Sequence, residues 1–491
     1  MSTHSTLGVR RKMTHLPDAP PLRPLRSAPN LLATRPQAFF NGLLTALVLF
    51  AGFCQAADRP NIVFMFCDDL RYDCVGANGN KIIHTPHIDK LAGEGVSFDN
   101  VFVTTAICVT SRASIMTGQY AARSNLRMSN TRGTLSPEKL AMTYHGIMKQ
   151  AGYQIGYVGK YHVGNPPKNF FDVNGAYAGQ GSYMSKKRGH LTAYIGDCAE
   201  KALEDFAKSE KPFILTLGFK APHVQDGKKP PFYPYDKQRT GHLYNDVTIP
   251  PAPLSDPEFF ETQPDFIRNP KNLNRLRWTW RLKDPQQYQR SVKGYYRCVS
   301  GVDLVVGRVV KKLKDLGIDK KTIVVFSSEH GVYLGQRGLA GKWLAHEPSI
   351  RIPLIVYDPR LPAAQRGTRR KQMALTIDFA PTFLDFAGIP KGPRMQGESL
   401  VEILNGKPPA NWRTEFFYDH YYKPGIIPSS EAVRTEEWKY IRYVHMKPVF
   451  EELYHLKEDP LEAKNLAKDP NYASKLEEFR KKWAEWRERA K

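Results

Sequence analysis

Five short apolar runs, at residues 61–67, 154–158, 213–219, 322–327 and 352–357, are separated by stretches with helical patterning. Each run is too short for a helix and is bounded by polar residues, which marks a strand buried on both faces. The helical stretches fall at 88–94, 111–116, 137–150, 192–207 and 288–316. Strands that alternate with helices bury both faces of a sheet by winding the helices over it, so a doubly wound, mostly parallel α/β sheet is expected. In such sheets ligands bind on the loops beyond the carboxyl ends of the strands.

Those loops carry most of the chemistry-bearing residues. Asp68-Asp69 follows the first run, and two adjacent carboxylates repel unless a cation lies between them, so a hard metal is their natural partner. Gly159-Lys160-Tyr161-His162 follows the second run and places Lys160 and His162 on the same side. His223 follows the third, as a candidate acid or base. Ser327-Ser328-Glu329-His330-Gly331 follows the fourth, with Lys342 further on; a carboxylate and an imidazole there again suit a metal. Finally, Cys108 stands just ahead of the helical stretch at 111–116, where the positive helix end favours a thiolate, with Arg112 as a fixed cation nearby. Taken singly, each cluster has a structural explanation: a solvated turn, a buried cysteine, a basic turn, a packed histidine. Their common position past strand ends does not.

Residues 221–290 break the alternation. They are rich in Pro, Tyr, Arg and Lys and read as an excursion over the active face. Arg275, Arg277, Trp278, Trp280 and Arg281 lie there; rings stack on sugars and arginines clamp sulfate or carboxylate. Packing of the tryptophans onto the core explains them equally well. After Ile389-Pro390 the pattern becomes strands at 414–422, 431–444 and 451–456 and a charged amphipathic helix at 472–490. The expected layout is thus an α/β domain over 58–390 and a smaller α+β domain over 391–491. His420, on the first of those late strands, is a further candidate substrate contact.

Basic residues at 10–35, an apolar run at 39–54 and the small residues Ala56-Ala57 have the order of a signal peptide, so 1–57 reads as a leader for a secreted or periplasmic protein. The apolar run is shorter than the roughly 20 residues that span a bilayer, which argues against a stable membrane span. The formal net charge is +23, and the leader's six basic and one acidic residues account for only a small part of it. Such a surface favours polyanions. No zinc finger, RNP-like motif or basic helix accompanies the charge, so nucleic acid is not the expected partner. Six cysteines occur, and without Cys54 of the leader five remain, an odd number in an oxidising compartment. Pairing of Cys67 with Cys74 stays open.

These motifs together resemble the type I sulfatases of the alkaline-phosphatase superfamily. Arg59-Pro60-Asn61 through Asp69 is similar to that family's opening, and TPHIDKLAGEGVSFDNVF at 85–102 to its next stretch. The Cys-x-Pro/Ala-Ser-Arg signature matches at 108–112 and runs on as SRASIMTGQY, with Thr110 where the family has Pro or Ala. Segments 152–162, 328–354 and 438–467 also match, with Glu329 where Asp is usual. The resemblance covers nearly the whole chain beyond the leader.

It implies an alkaline-phosphatase-like fold and a specific chemistry. Cys108 would be oxidised to formylglycine by a formylglycine-generating maturation enzyme and hydrated, one hydroxyl attacking sulfur. Asp68, Asp69, Glu329, His330 and the modified Cys108 would hold a divalent ion, Ca2+ first, with Mg2+ or Mn2+ as alternatives. Arg112 and Lys160 would hold the formylglycine oxygens, His223 and Lys342 would bind sulfate and protonate the leaving alcohol, and His162 would act as the base that releases sulfate. The substrate would be a sulfated carbohydrate, with Trp280, Arg281 and His420 as its candidate contacts. Two rivals stay open: a phosphonate or phosphate monoester hydrolase on the same scaffold, and a non-catalytic sulfated-glycan-binding protein with Cys108 unmodified. The additional metal clusters of a two-zinc phosphatase are not visible in the sequence.

Overall fold

The computed structural model describes residues 59–131 and 133–491; the expected leader, with Cys54, lies outside the described residues. Eight strands form the central sheet: β1 (Asn61–Asp68), β2 (Val96–Phe98), β3 (Gln154–Lys160), β4 (Val173–Tyr177), β5 (Phe213–Pro222), β6 (Thr322–Ser328), β7 (Leu354–Tyr357) and β8 (Thr368–Arg370). Their spatial order is β8-β2-β7-β6-β1-β5-β3-β4. β1 lies between β5 and β6, with Ile62 opposite both Ile214 and Ile323. The sheet is mostly parallel, as expected; β7 pairs antiparallel with both β6 and β2.

The alternation of side chains along β1 explains the layers. Ile62, Phe64 and Phe66 join one apolar cluster, while Val63, Met65 and Cys67 join another on the opposite face. The first face is covered by α2 (Cys108–Thr117) and α6 (Phe379–Phe386), with the Phe383 ring tilted against that of Phe64 at 5.0 Å. The second is covered by α1 (Pro86–Glu94), α3 (Leu191–Phe206) and the 31-residue α5 (Pro285–Asp315). Burying both faces is what the continuous apolar runs required.

Three strands escaped the sequence reading. β2, β4 and β8 are only three to five residues long, and β4 and β8 carry exposed residues at the sheet's margins, where a long apolar edge would invite pairing with other chains. The helix expected at 137–150 is two helices, Pro137–Ala141 and Tyr144–Gln150. Thr143 breaks it by accepting the Gly146 N–H, starting a new helix rather than continuing the old one.

Between β5 and α5 the chain forms only short helices, ending in α4 (Leu273–Arg281). The last hundred residues give the antiparallel strands β9 (Glu415–His420), β10 (Ser430–Thr435), β11 (Trp438–Tyr443) and β12 (Phe450–His455), then α7 (Ala473–Arg489). The stretch expected as one strand at 431–444 is a hairpin of β10 and β11. Phe416 stacks on Phe102 at 5.2 Å, and Phe416, Tyr440 and Leu453 share the apolar cluster that contains Phe64. Cys67, Cys74, Cys108, Cys198 and Cys298 are all free thiols. Among the described residues no helix is long and apolar enough to cross a membrane.

One helix junction carries a pH signature. Asp303 of α5 accepts the Ile88 N–H of α1 at 2.8 Å. Burial pushes its carboxyl up to about 7, although hydrogen bonds from Ile88 and His87 pull the other way. The unfolded chain has an ordinary carboxylate near pH 4, so between about pH 4 and 7 the folded state binds the proton more tightly. Stability from this group is therefore highest at the acid end and declines as pH rises through that window. Asp303→Asn should remove this contribution, making the urea midpoint fall less between pH 5 and pH 7 than in the wild type. An identical change of midpoint in both proteins would contradict the assignment.

Candidate active site

The site grows from the carboxyl ends of β1, β3, β5 and β6. Asp68 closes β1, and Asp69 follows with φ 69°, a left-handed conformation that Asp tolerates better than most residues. The bend is pinned by the Leu70 N–H donating to Ser328 Oγ at 3.1 Å and by Tyr295 Oη donating to Asp69 O at 2.6 Å. Both carboxylates then meet Lys342: Nζ lies 2.9 Å from Asp69 Oδ1 and 3.6 Å from Asp68 Oδ1.

β6 delivers Glu329 and His330. The Glu329 N–H donates to Cys67 O at 3.0 Å, so the strand pairing carries these residues to the end of β1. Gly331 is required there, because a Cβ would sit 2.2 Å from Pro348 O. His330 Nε2 lies 3.3 Å from Glu329 Oε1, and Nδ1 lies 3.3 Å from Asp69 Oδ1.

Cys108 is the first residue of α2, and all ten residues of that helix are buried. Its Sγ is 3.2 Å from Lys342 Nζ and 3.6 Å from Asp68 Oδ1. Burial alone would raise the thiol pKa; Lys160 and Lys342, with hydrogen bonds from His162 and His223, outweigh it and hold the thiol well below its ordinary value. One turn on, Arg112 pairs with Glu329, donates to Lys160 O, and reaches Phe219 O at 3.3 Å. Thr110 is buried, and its Oγ1 accepts the Met128 N–H at 3.1 Å, which ties the helix start to the following loop.

Lys160 ends β3 and pairs with Asp68, while Gln180 Oε1 accepts from its Nζ at 2.6 Å. Gly159 before it has φ 97°, and a Cβ would meet Gly218 O at 2.2 Å, so only glycine allows β3 and β5 to approach here. His162 takes φ 57° beside Cys108, and burial pulls its pKa below the ordinary imidazole value. His223, past β5, donates Nδ1–H to Val224 O at 2.7 Å, leaving Nε2 3.8 Å from Asp69 Oδ2. All ten catalytic and metal candidates are thus gathered around one thiol.

The same atoms fit a divalent cation. Ligand atoms of Asp68, Cys108, Glu329 and His330 lie within 4.8 Å of one another, as do those of Asp68, Asp69 and His223. Buried Glu329 Oε1 and His330 Nε2 face each other without forming a hydrogen bond, and Glu329 Oε2 is met only by the Arg112 guanidinium, so these atoms keep capacity for a cation. Burial, with Asp68 and Cys108, prevails over Arg112 and pushes the Glu329 carboxyl up to about 8. Around Asp68 the balance is opposite: burial and Cys108 raise it, but His223, Lys160 and Lys342 hold it well below the carboxylate range. An oxygen-rich set of this kind suits a hard ion.

The outer candidates separate. His420 is buried, with both ring nitrogens unpartnered, in a small cavity shared with Thr110, Ile107 and Arg127; burial pushes it down to about 3. Trp278 and Trp280 pack partly against the second apolar cluster. Arg281 is buried beside Phe232. Gln180 and Lys220 went unnoticed in the sequence. Lys220 Nζ donates to Gly181 O at 2.7 Å and Gln225 Oε1 at 2.9 Å, bracing the loops of Gln180 and His223. A lone glutamine between glycines and a lysine inside an apolar strand offer no motif to find.

Residues 60–389 match the family model described as Sulfatase, and residues 335–489 match the one described as N-sulphoglucosamine sulphohydrolase, C-terminal. The chain is similar to the N-acetylglucosamine-6-O-sulfatase of Bacteroides thetaiotaomicron, 28% identical over 487 residues that cover 87% of this chain and 86% of that protein. It also resembles a solved structure of a protein in complex with its substrate D-glucosamine-2-N,6-O-disulfate, with TM-score 0.75, 26% identity, and 88% and 98% of the two chains covered. The phosphonate monoester hydrolase of Agrobacterium radiobacter shares the fold, with TM-score 0.69, 20% identity, and 88% and 96% covered. The family model spans well over half of the sequence, including every strand end that builds the site, and the chain belongs to the sulfatase family of sulfuric ester hydrolases.

Proposed function

We propose that this sulfatase removes a sulfate ester from a sulfated sugar, using residue 108 as its nucleophile. The observation that carries the reading is the setting of Cys108: a helix-start thiol held between Lys342, Asp68, His162 and His223. Oxidised to formylglycine by a maturation enzyme, Cys108 would supply a hydrated aldehyde as the attacking group. A divalent ion, calcium in our reading, would be held by Asp68, Asp69, Glu329, His330 and the modified residue 108, and would neutralise charge and acidify the nucleophile.

The chain's own residues do the rest. Lys342 Nζ lies beside both Asp69 and residue 108, placed to bind a sulfate oxygen. His223 has its Nδ1–H committed to Val224 O, so Nε2 is the nitrogen that holds a proton and gives it to the departing sugar hydroxyl. His162 is held toward the neutral form by burial and takes the proton from residue 108 as sulfate leaves. Splitting one hard displacement into two steps is what covalent catalysis provides. Arg112 and Lys160 hold the pocket's carboxylates, pairing with Glu329 and Asp68, and keep the oxygens of residue 108 in place. Residues 1–57 serve as an export leader, and 58–390 and 391–491 act as the catalytic and C-terminal domains.

Protein matured in its own export system should release sulfate from singly sulfated N-acetylglucosamine or sulfated oligosaccharides, measured by ion chromatography. Faster release of phosphate or phosphonate from matched esters would favour the rival hydrolase. His162→Ala should lower kcat by about a hundredfold or more, the scale of a lost acid–base group, with little change in KM. Full activity in that variant would remove His162 from the reaction. Chelation should abolish turnover and lower the melting temperature, with both restored by added calcium, because a ligand of the folded state stabilises it. A melting temperature indifferent to chelator and calcium would contradict the metal reading.

A further inference from the structure

Six arginines are buried among the described residues: Arg71, Arg112, Arg281, Arg297, Arg337 and Arg434. Five of them have hydrogen-bonding partners for their guanidinium groups. Arg71 pairs with Asp73, Arg112 with Glu329 and Arg434 with Glu347. Arg297 donates to Leu243 O and Asn245 Oδ1, and Arg337 to Glu462 O, Gln263 and Tyr454. Arg281 is the exception. It is 3% exposed, its Nε is enclosed without a partner, and its guanidinium stands over the Phe232 ring at 5.8 Å. A buried charge with nothing opposite it is costly, and proteins normally supply a counter-charge.

The surroundings make the cost larger. Arg277 lies one turn back on α4, so the two guanidiniums share a helix face. Burial first, then Arg277, push Arg281 down to about 10, against partial support from Tyr233, Asp226 and Asp69. Asp226, the only carboxylate paired with Arg277 among the described residues, is 3.5 Å away and half exposed. Two like charges have been brought together with too little negative charge to hold them.

Their position says what would complete the set. The same face of α4 lies along the loop that carries Lys342: Asn274 Nδ2 donates to Lys342 O at 3.0 Å, and the Arg277 guanidinium stands 4.7 Å from the Trp343 ring. On the other side, the segment beside Arg281 leads back to the metal candidates. Tyr233 packs edge-on against Tyr295 at 5.6 Å, and Tyr295 donates to Asp69 O. The arginine pair therefore lies beside the segments that carry Lys342 and Asp69, and Lys228, over the Trp280 ring, adds a further cation nearby.

We propose that Arg281 and Arg277 form a second anion subsite beside the reacting sulfate, binding another sulfate or a carboxylate carried by the same sugar substrate. The inference rests on the reading of the chain as a glycan sulfatase. A planar guanidinium meets two oxygens of either group in parallel hydrogen bonds, and an anion between the two arginines removes both the repulsion and the unpaired buried charge. The enzyme selects sugars with two neighbouring negative groups over sugars with one.

The test compares kcat/KM for a sugar bearing only the scissile sulfate with the same sugar bearing a second sulfate, or joined to a uronate, at fixed ionic strength. The wild type should favour the doubly charged substrates by about tenfold or more, the scale of a hydrogen-bonded charge. Arg281→Gln should bring that ratio close to one, mainly through KM, and Arg281→Lys should recover part of it; Arg277→Gln should lower it less. Loss of the preference for the second sulfate alone, or for the uronate alone, tells which anion the subsite takes. A wild type without preference, or an Arg281→Gln ratio equal to the wild-type ratio, overturns the subsite while sulfate release leaves the sulfatase reading standing. In Cys108→Ser protein, calorimetric binding of the same sugars reads the subsite without turnover. A binding preference lost in Arg281→Gln supports the subsite even if the wild type releases no sulfate, a result that would overturn the function reading alone.

Discussion

Three carboxylates, Asp68, Asp69 and Glu329, are buried at one point of this molecule. Each such charge is expensive to remove from water unless it is paired. The structure meets that demand with three cations, Lys160, Lys342 and Arg112, which are themselves buried. Neither set is stable in the interior without the other. A divalent ion held by these carboxylates would leave the pocket net positive, which favours a sulfate ester.

The sheet is what brings the two sets together. Asp68 and Asp69 come from the end of β1, Glu329 from the end of β6, Lys160 from the end of β3 and His223 from just past β5. These strands are adjacent and parallel, so their carboxyl ends open on the same side. The site depends on backbone contacts that leave no room for side chains, at Gly159 and Gly331. α2 then presents Cys108 at its positive end, anchored through Arg112 to both Glu329 and the strand ends. One arginine thus couples the helix of Cys108 to the metal candidates.

Much of this was legible in the sequence because the deeply buried parts have the strongest signals. β1, β3, β5 and β6 are continuous apolar runs, and all ten residues assigned to catalysis or metal holding converge in the structure. The edge strands β4 and β8 were not legible, since a short strand with solvent on one side has neither a run nor a clear alternation, and the buried β2 is only three residues long, too short to show a pattern. The hairpin of β10 and β11 was read as one strand because its turn at 436–437 is a pair of glutamates, not a glycine signal. Gln180 and Lys220 were missed for a different reason. Their roles arise from contacts with Lys160, Gly181 and Gln225, and no spacing in the chain encodes those. For Arg281 the sequence suggested a clamp for acidic groups, but only the structure shows that the guanidinium is buried and unpaired.

Peptide mass spectrometry of the segment containing residue 108, from protein matured in its native export system, reads whether an oxidised cysteine is the nucleophile. An aldehyde about 18 Da lighter than cysteine, or its hydrate of nearly unchanged mass, trapped by a carbonyl reagent, is the expected result. An intact, alkylatable thiol at residue 108 in protein that nevertheless hydrolyses sulfate esters would contradict it.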